Sequence, residues 1–172
     1  EALVQGSKEA TRGSEEIRLE AIASEVVEGM EVDTLYIIGP GTTTRPIAKE
    51  LGLEKTLLGV DVIENGSLVA SDVNEKMLLT LIEGKRAKII VTIIGGQGFI
   101  LGRGNQQISP EVIRSVGEKN LIIVASPGKL ANLKGRTLLV DTGDPEVDKM
   151  LTGYRKVIIG YARRSVYKVR AQ

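Results

Sequence analysis

The chain has 172 residues, 42% hydrophobic and 26% charged, with one Phe, four Tyr and a formal net charge of +1; that is enough for one domain with its own core, and it gives no case for a nucleic-acid partner, either by bulk charge or by aromatic stacking. There is no cysteine and no histidine, which excludes disulfides, thiolate or imidazole metal sites and Cys–His or Ser–His catalysis, and leaves only a hard ion such as Mg²⁺ on carboxylates. No apolar run approaches the roughly 20 residues of a membrane span and no signal peptide is visible, so a cytoplasmic protein without membrane contact is expected.

Residues 1–13 (EALVQGSKEATRG) are polar and small, and read as a leader or linker. The chain opens at Glu1 rather than at a methionine, so residues 14–172 are expected to be a single α/β domain forming the C-terminal part of a longer protein. Ser14, followed by Glu15 and Glu16, reads as a helix N-cap. Ile17, Ala21, Val26 and Met30 predict the inner face of a helix ending near Gly29.

Thr34–Ile38 (TLYII) is a predicted strand that runs into Gly39-Pro40-Gly41-Thr42-Thr43-Thr44-Arg45, with Pro46 well placed to open a helix. Strand, glycine turn, hydroxyl cluster and helix start together make an anion site, with Gly39, Gly41, Thr42, Thr43, Thr44 and Arg45 as candidate phosphate contacts. It is neither a Walker A loop nor a Gly-x-Gly-x-x-Gly fingerprint. Leu57–Ile63 (LLGVDVI) predicts the next strand, and Asn65-Gly66 a hairpin turn leading to a return strand at Ser67–Ala70. Asp61 lies inside that apolar run. A buried carboxylate must be paired, hydrogen-bonded or functional, so Asp61 is the candidate acid/base. Asp72 with Glu75 predicts a capping box for a helix to about Gly84.

Ile89–Ile94 is a continuous β-branched run, as in a strand buried on both faces. It breaks into a loop that contains five glycines, one arginine and four side-chain amides between Gly95 and Gln107. Glycine loses the most backbone entropy on folding. So many of them predict close approach of backbone to a ligand, with Gly95, Gly96, Gln97, Gly98, Arg103, Gly104, Asn105, Gln106 and Gln107 as the candidate contacts. Ser109-Pro110 opens a helix ended by Gly117. Leu121–Ala125 is a strand ending at Ser126-Pro127-Gly128-Lys129. Thr137–Val140 is a strand ending at Asp141-Thr142-Gly143-Asp144, where Asp144 caps a last helix and Asp141 is the candidate metal or sugar ligand. Val157–Gly160 and Val166–Val169 close the chain around a turn at Ala162–Ser165. Strands and helices alternate, which predicts an α/β fold: a mainly parallel sheet, helices on both faces, hairpins, and glycine-rich loops gathered at the C-terminal strand edge. A small phosphorylated ligand is the expected partner, and a homo-oligomer is open.

Taken together, GPGTTT (39–44), LLGVDV (57–62), IGGQGFILGRGNQQISPEVIR (94–114) and VDTGD (140–144) resemble the predicted polyphosphate/ATP-NAD kinase group of archaea and bacteria, related to the acetoin-catabolism protein X. The resemblance covers the C-terminal half of such proteins. It implies phosphorylation of NAD to NADP from ATP or polyphosphate with Mg²⁺. It also implies a missing N-terminal domain bearing a catalytic Gly-Gly-Asp-Gly motif. Here Gly95-Gly96-Gln97-Gly98 has glutamine in the aspartate's place, and glutamine is neither a general base nor a charged metal ligand. The family's better-known members also have a β-rich C-terminal domain, where this pattern alternates strand and helix. A weaker likeness, of the Gly-x-Gly-Thr-Thr-Thr turn and the Gly-Val-Asp strand end, is to sugar-phosphate isomerases and deaminases, with Asp61 moving the proton. A non-catalytic ligand-sensing or assembly domain is the third alternative.

Overall fold

The computed structural model describes the backbone of residues 2–172 and side chains from Arg12 onward. Among the described residues there are nine strands in one sheet: β1 (Thr34–Ile38), β2 (Asp61–Glu64), β3 (Ser67–Ala70), β4 (Arg86–Val91), β5 (Phe99–Leu101), β6 (Leu121–Val124), β7 (Thr137–Val140), β8 (Gly153–Gly160) and β9 (Arg163–Ala171). Six α-helices accompany them: α1 (Ala2–Glu28), α2 (Arg45–Glu50), α3 (Glu75–Ile82), α4 (Pro110–Val116), α5 (Pro127–Ala131) and α6 (Pro145–Leu151). The strands are rich in Ile, Val and Leu because both sheet faces are covered. In β4 and its continuation, Ile89, Val91 and Ile93 join one core with Leu78 of α3, Val112 of α4 and Leu151 of α6. Ile90 joins the other core, with Ile22 and Val26 of α1 and Ile47 of α2.

The strand order is β3-β2-β1-β4-β6-β8-β9-β7-β5. β1, β4, β6 and β8 are mutually parallel. β9 then returns antiparallel to β8, and β7 and β5 run parallel to β9. An antiparallel bridge between Ile94 and Phe99, with the Ile94 amide donating to the Phe99 carbonyl at 2.8 Å, ties β5 back to the chain just beyond β4. The second part of the sheet thus curls into a ring of six strands, β4-β6-β8-β9-β7-β5. Alternation of strand and helix in the sequence and a β-rich second part in space therefore coexist.

The fold class is as expected, and several local readings change. α1 is helical from Ala2, so Ser14 lies inside it and caps nothing; residues 2–13, expected as a leader, have helical backbone, and the structure of Glu1 is outside the described residues. Ile17 is 68% exposed, and the buried face is Ile22, Ala23 and Val26. The cap of α3 is Asn74, whose side chain accepts from the Met77 amide; Asp72 is used elsewhere. The strand expected from Leu57 begins only at Asp61. Leu57 and Leu58 project outward because the segment before Asp61 is folded around its carboxylate. The turn expected at 162–165 is shorter, with Arg163 and Arg164 already in β9. β7 points opposite to β1, β4 and β6, so the four loops do not share one strand edge by simple parallelism.

Candidate functional site

The β1–α2 loop is folded by its own threonines. Thr44 occupies the N-cap position of α2 without a side-chain cap bond. Its hydroxyl instead donates to the Gly39 carbonyl at 2.7 Å and approaches the Gly41 carbonyl at 3.1 Å. The Gly39 amide donates to the Ile90 carbonyl at 2.9 Å, which pins the loop to β4. Gly41 has φ +128°, and a Cβ there would come within 2.7 Å of Cγ2 of Thr92. The hydroxyls of Thr43 and Thr92 are buried and have no partner within the protein. An unsatisfied buried hydroxyl costs about 1–3 kcal/mol, and at a ligand loop such a group is a candidate contact.

Beside this loop lies a cavity of about 510 Å³, lined by Thr42, Arg45, Pro46 and Lys49 on one side and Leu53, Glu54 and Lys55 on the other. Three cations thus face one carboxylate. Arg45 and Lys49 are exposed and make no ion pair among the described residues. They are four apart and share one helix face. Lys55 is differently placed. Its ammonium donates to the carbonyls of Gly59 at 2.8 Å and Thr56 at 3.3 Å, and to Asp61 at 3.2 Å.

Asp61 is the centre of that arrangement. Besides Lys55, it accepts from the Thr56 amide at 2.7 Å, the Thr56 hydroxyl at 2.8 Å and the Asp72 amide at 2.7 Å. Burial alone would raise its pKa, but the donors from Asp72, Thr56 and Lys55 outweigh burial and hold the carboxyl below its ordinary value. Burial lowers the pKa of Lys55, against the pull of Asp61. The pair fixes Lys55, and with it the Leu53–Lys55 side of the cavity, to the start of β2.

The stretch from Gly95 to Gln107 divides in two. Gly95, Gly96 and Gln97 form an exposed tip, and a Cβ on either glycine would meet nothing. From Gly98 onward the loop is bound into the ring. A Cβ at Gly98 would press on the Thr137 carbonyl, one at Gly102 would collide with the Asp141 backbone, and one at Gly104 would press on Ile94. Asn105 is fully buried, accepts from the Gly102 amide at 3.1 Å and donates to the Ile100 carbonyl at 3.0 Å. Arg103 lies over the Phe99 ring at 4.4 Å and binds Asp141 at 3.1 Å and the Gln172 side chain at 3.0 Å. Gln106 is exposed and Gln107 half-buried. None of these residues lines the 510 Å³ cavity; the nearest link is Ile108, which packs beside Gly39.

Asp144 caps α6 and pairs with Arg114 at 2.8 Å, and Asp148 accepts from the Thr142 amide and hydroxyl. Asp141 is neutralised by Arg103. Among the described residues no group of three or more His, Cys, Asp or Glu side chains converges as a metal site. The carboxylates present do not fit a protein-held Mg²⁺: Asp61, Asp141, Asp144 and Asp148 are already occupied by donors or a cation, and Glu54 stands as the single carboxylate among the residues that line the cavity.

A family model, that of the ATP-NAD kinase C-terminal domain, matches residues 32–169, from just before β1 to the end of the ring. The chain belongs to this family. No curated protein and no solved structure matches it. Within this NAD kinase-like domain, Lys49, Lys55 and Thr92 are the positions that motif reading passes over. Lys49 had a local signal, its four-residue spacing from Arg45. Lys55 and Thr92 had none, because their roles arise from tertiary contacts with Asp61 and Gly41. No helix among the described residues is long and apolar enough to cross a membrane.

Proposed function

We propose that this is the nucleotide-binding domain of an NAD kinase-like protein and that the cavity beside the β1–α2 loop holds the phosphates of its ligand. The observation that carries the reading is the pairing of two cations without ion-pair partners among the described residues, Arg45 and Lys49, with the glycine-threonine loop of an ATP-NAD kinase family domain. Guanidinium and ammonium donors suit phosphate oxygens, and the Thr42 hydroxyl adds a neutral donor at the cavity wall. The ligand is ATP or NAD, with polyphosphate as a second donor, in the phosphorylation of NAD to NADP. Any Mg²⁺ arrives with the phosphates. The residues here bind and orient; Gln97 cannot take a proton from the attacking hydroxyl, so the base belongs to a catalytic motif of the Gly-Gly-Asp-Gly kind outside these residues.

Sugar-phosphate isomerase or deaminase chemistry needs a carboxylate free to exchange a proton. The four donors on Asp61 favour the kinase-like reading over that alternative. Calorimetric titration with ATP, NAD and tripolyphosphate tests the proposal. Arg45→Ala and Lys49→Ala should each weaken binding of the preferred ligand by about 1.5–3 kcal/mol, the range for a hydrogen bond to a charged group. Unchanged affinities in the double variant would sink it, and turnover of a sugar phosphate by these residues alone would replace it with the alternative.

A further inference from the structure

The loop that ends β6, Ser126-Pro127-Gly128-Lys129, has no part in the cavity beside the β1–α2 loop. It helps to enclose another. β6 and β8 run parallel, with Val124 paired to Ile158 and the Ala125 amide donating to the Ile158 carbonyl at 3.1 Å. Their carboxyl ends therefore open on one edge, and it is at that edge that α/β sheets hold their ligands. Leu130 of α5, Val157 of β8 and Tyr167 of β9 join one core there, and beside them lies a cavity of about 400 Å³. Small-molecule sites commonly occupy the mouths of strand rings, with volumes of about 300–1,000 Å³.

The wall of this cavity has two characters. Pro127, Leu130 and Ile159 form an apolar side. Arg136, Ser165 and Tyr167 bring a guanidinium and two hydroxyls. Ser165 and Tyr167 alternate with the exposed Val166, so both point to the ring side of β9. Tyr167 is only 8% exposed and its ring belongs to the core. A buried tyrosine usually finds a partner for its hydroxyl, yet among the described residues this one has none. Unlike the hydroxyls of Thr43 and Thr92 it is not sealed in; it opens on the cavity. The Ser165 hydroxyl and the Arg136 guanidinium are likewise unbonded among the described residues, and Arg136 is exposed. Glu15 of α1 stands by Gly128 but does not line the cavity, whose wall holds no carboxylate and no second cation.

Three unpartnered donors beside an apolar wall suit an acceptor group of single negative charge on an apolar body. A guanidinium takes a carboxylate through two parallel bonds, and hydroxyls donate to its remaining lone pairs. A phosphate dianion would bring a second charge that one arginine does not match. We infer that this cavity binds a small organic monocarboxylate, with its carboxylate on Arg136, Ser165 and Tyr167 and its apolar body against Pro127, Leu130 and Ile159. The site shares no lining residue with the cavity beside the β1–α2 loop, and the inference does not rest on the nucleotide reading.

The test is methyl NMR of the folded chain, following Leu130 and Ile159 while 4-methylpentanoate or benzoate is titrated over the millimolar range. Both residues should shift to saturation with at least one acid, neutral benzamide should give no saturable shift, and added tripolyphosphate should not displace the acid. Tyr167→Phe, which keeps the core ring, and Arg136→Gln should each weaken binding about tenfold or more, the loss expected for a hydrogen bond to a charged group. Circular dichroism checks folding, and Ser165→Ala repeats the measurement if either variant unfolds. No saturable shift with either acid overturns the inference, as does benzamide binding as tightly as benzoate. Tighter binding of phenyl phosphate than of benzoate, displacement by tripolyphosphate, or folded variants with unchanged affinity would overturn it too.

Discussion

Lys55 and Asp61 are nearly inaccessible, 2% and 1% exposed, and sit 3.2 Å apart. Breaking such a pair from one side leaves a lone buried charge and typically costs 3–5 kcal/mol, whereas replacing both partners by apolar groups can be neutral. Asp61→Asn should therefore destabilise by about 3 kcal/mol in urea unfolding, and Lys55→Met/Asp61→Leu by less than the sum of its single changes. Additive costs would show that the two side chains act independently. The pH dependence follows from the lowered pKa of Asp61. Its stabilising contribution is complete above the unfolded carboxyl value of about 3.9 and is lost as pH falls through the lower folded value. Lys55, also lowered, has the opposite effect, a cost at neutral pH that fades toward the unfolded lysine value of about 10.4. Asp61→Asn should flatten part of the acid limb of a urea-midpoint profile; an unchanged limb would assign it to other carboxylates. Arg103 gives a contrasting case. It is half-exposed and bound to Asp141 and Gln172, so Arg103→Ala should cost under about 1 kcal/mol of stability and leave phosphate affinity intact in the titrations where Arg45→Ala reduces it. A tenfold loss of affinity for Arg103→Ala would return that residue to the ligand. The need for partners around Asp61 was legible from its apolar neighbours. Which partners was not, because Thr56 and Lys55 sit in an irregular segment with no period to read.

At the scale of elements, Gly102 sits between β5 and the end of β7 with φ +93°. A side chain there would be forced into the Asp141 backbone. Gly102→Ala should lose about 1–3 kcal/mol from overpacking and a further ~1–2 kcal/mol from the left-handed backbone, measurable as a lower unfolding midpoint. Gly96→Ala, at the open tip, should be nearly neutral; equal losses at both sites would contradict the division of the loop. Cap chemistry was legible where one residue had one role, as at Ser109 and Asp144, each of which accepts from amides of its helix. It failed at Asp72, because the Asp72 amide is drawn to Asp61 and the cap passes two residues on. Strand positions were legible from β-branched runs, and β1 and β7 match their predicted spans. Strand direction was not, since a four-residue run such as Thr137–Val140 reads the same in either orientation and only its neighbours decide. Five glycines between Gly95 and Gln107 suggested one ligand loop; three of them answer to close packing within the ring.

For the molecule as a whole, the sheet is unevenly protected. β1 is buried throughout and β4 over its second half, while β3 is an edge strand with Ser67, Leu68 and Val69 all exposed. Native-state hydrogen exchange should follow this gradient, with amides of β1 and β4 opening only by global unfolding and those of β3 exchanging early through local opening. Uniform protection across the sheet would mean that the edge is covered by something else. The ring adds a different kind of constraint. β7 and β5 are hydrogen-bonded to each other and reach β8 through β9, while the Ile94–Phe99 bridge ties them to the chain beyond β4, so Arg163–Ala171 is the continuous strand that joins one side of the ring to the other. On a ribosome, Phe99–Leu101 emerges some 60 residues before the strand that completes its side of the sheet, an interval of roughly 3–12 seconds at 5–20 residues per second. Through that interval Leu121–Val124 can pair with β4, but Phe99–Leu101 and Thr137–Val140 lack the strand that flanks their side of the sheet, and the nascent chain depends on being kept from its neighbours until β9 is made.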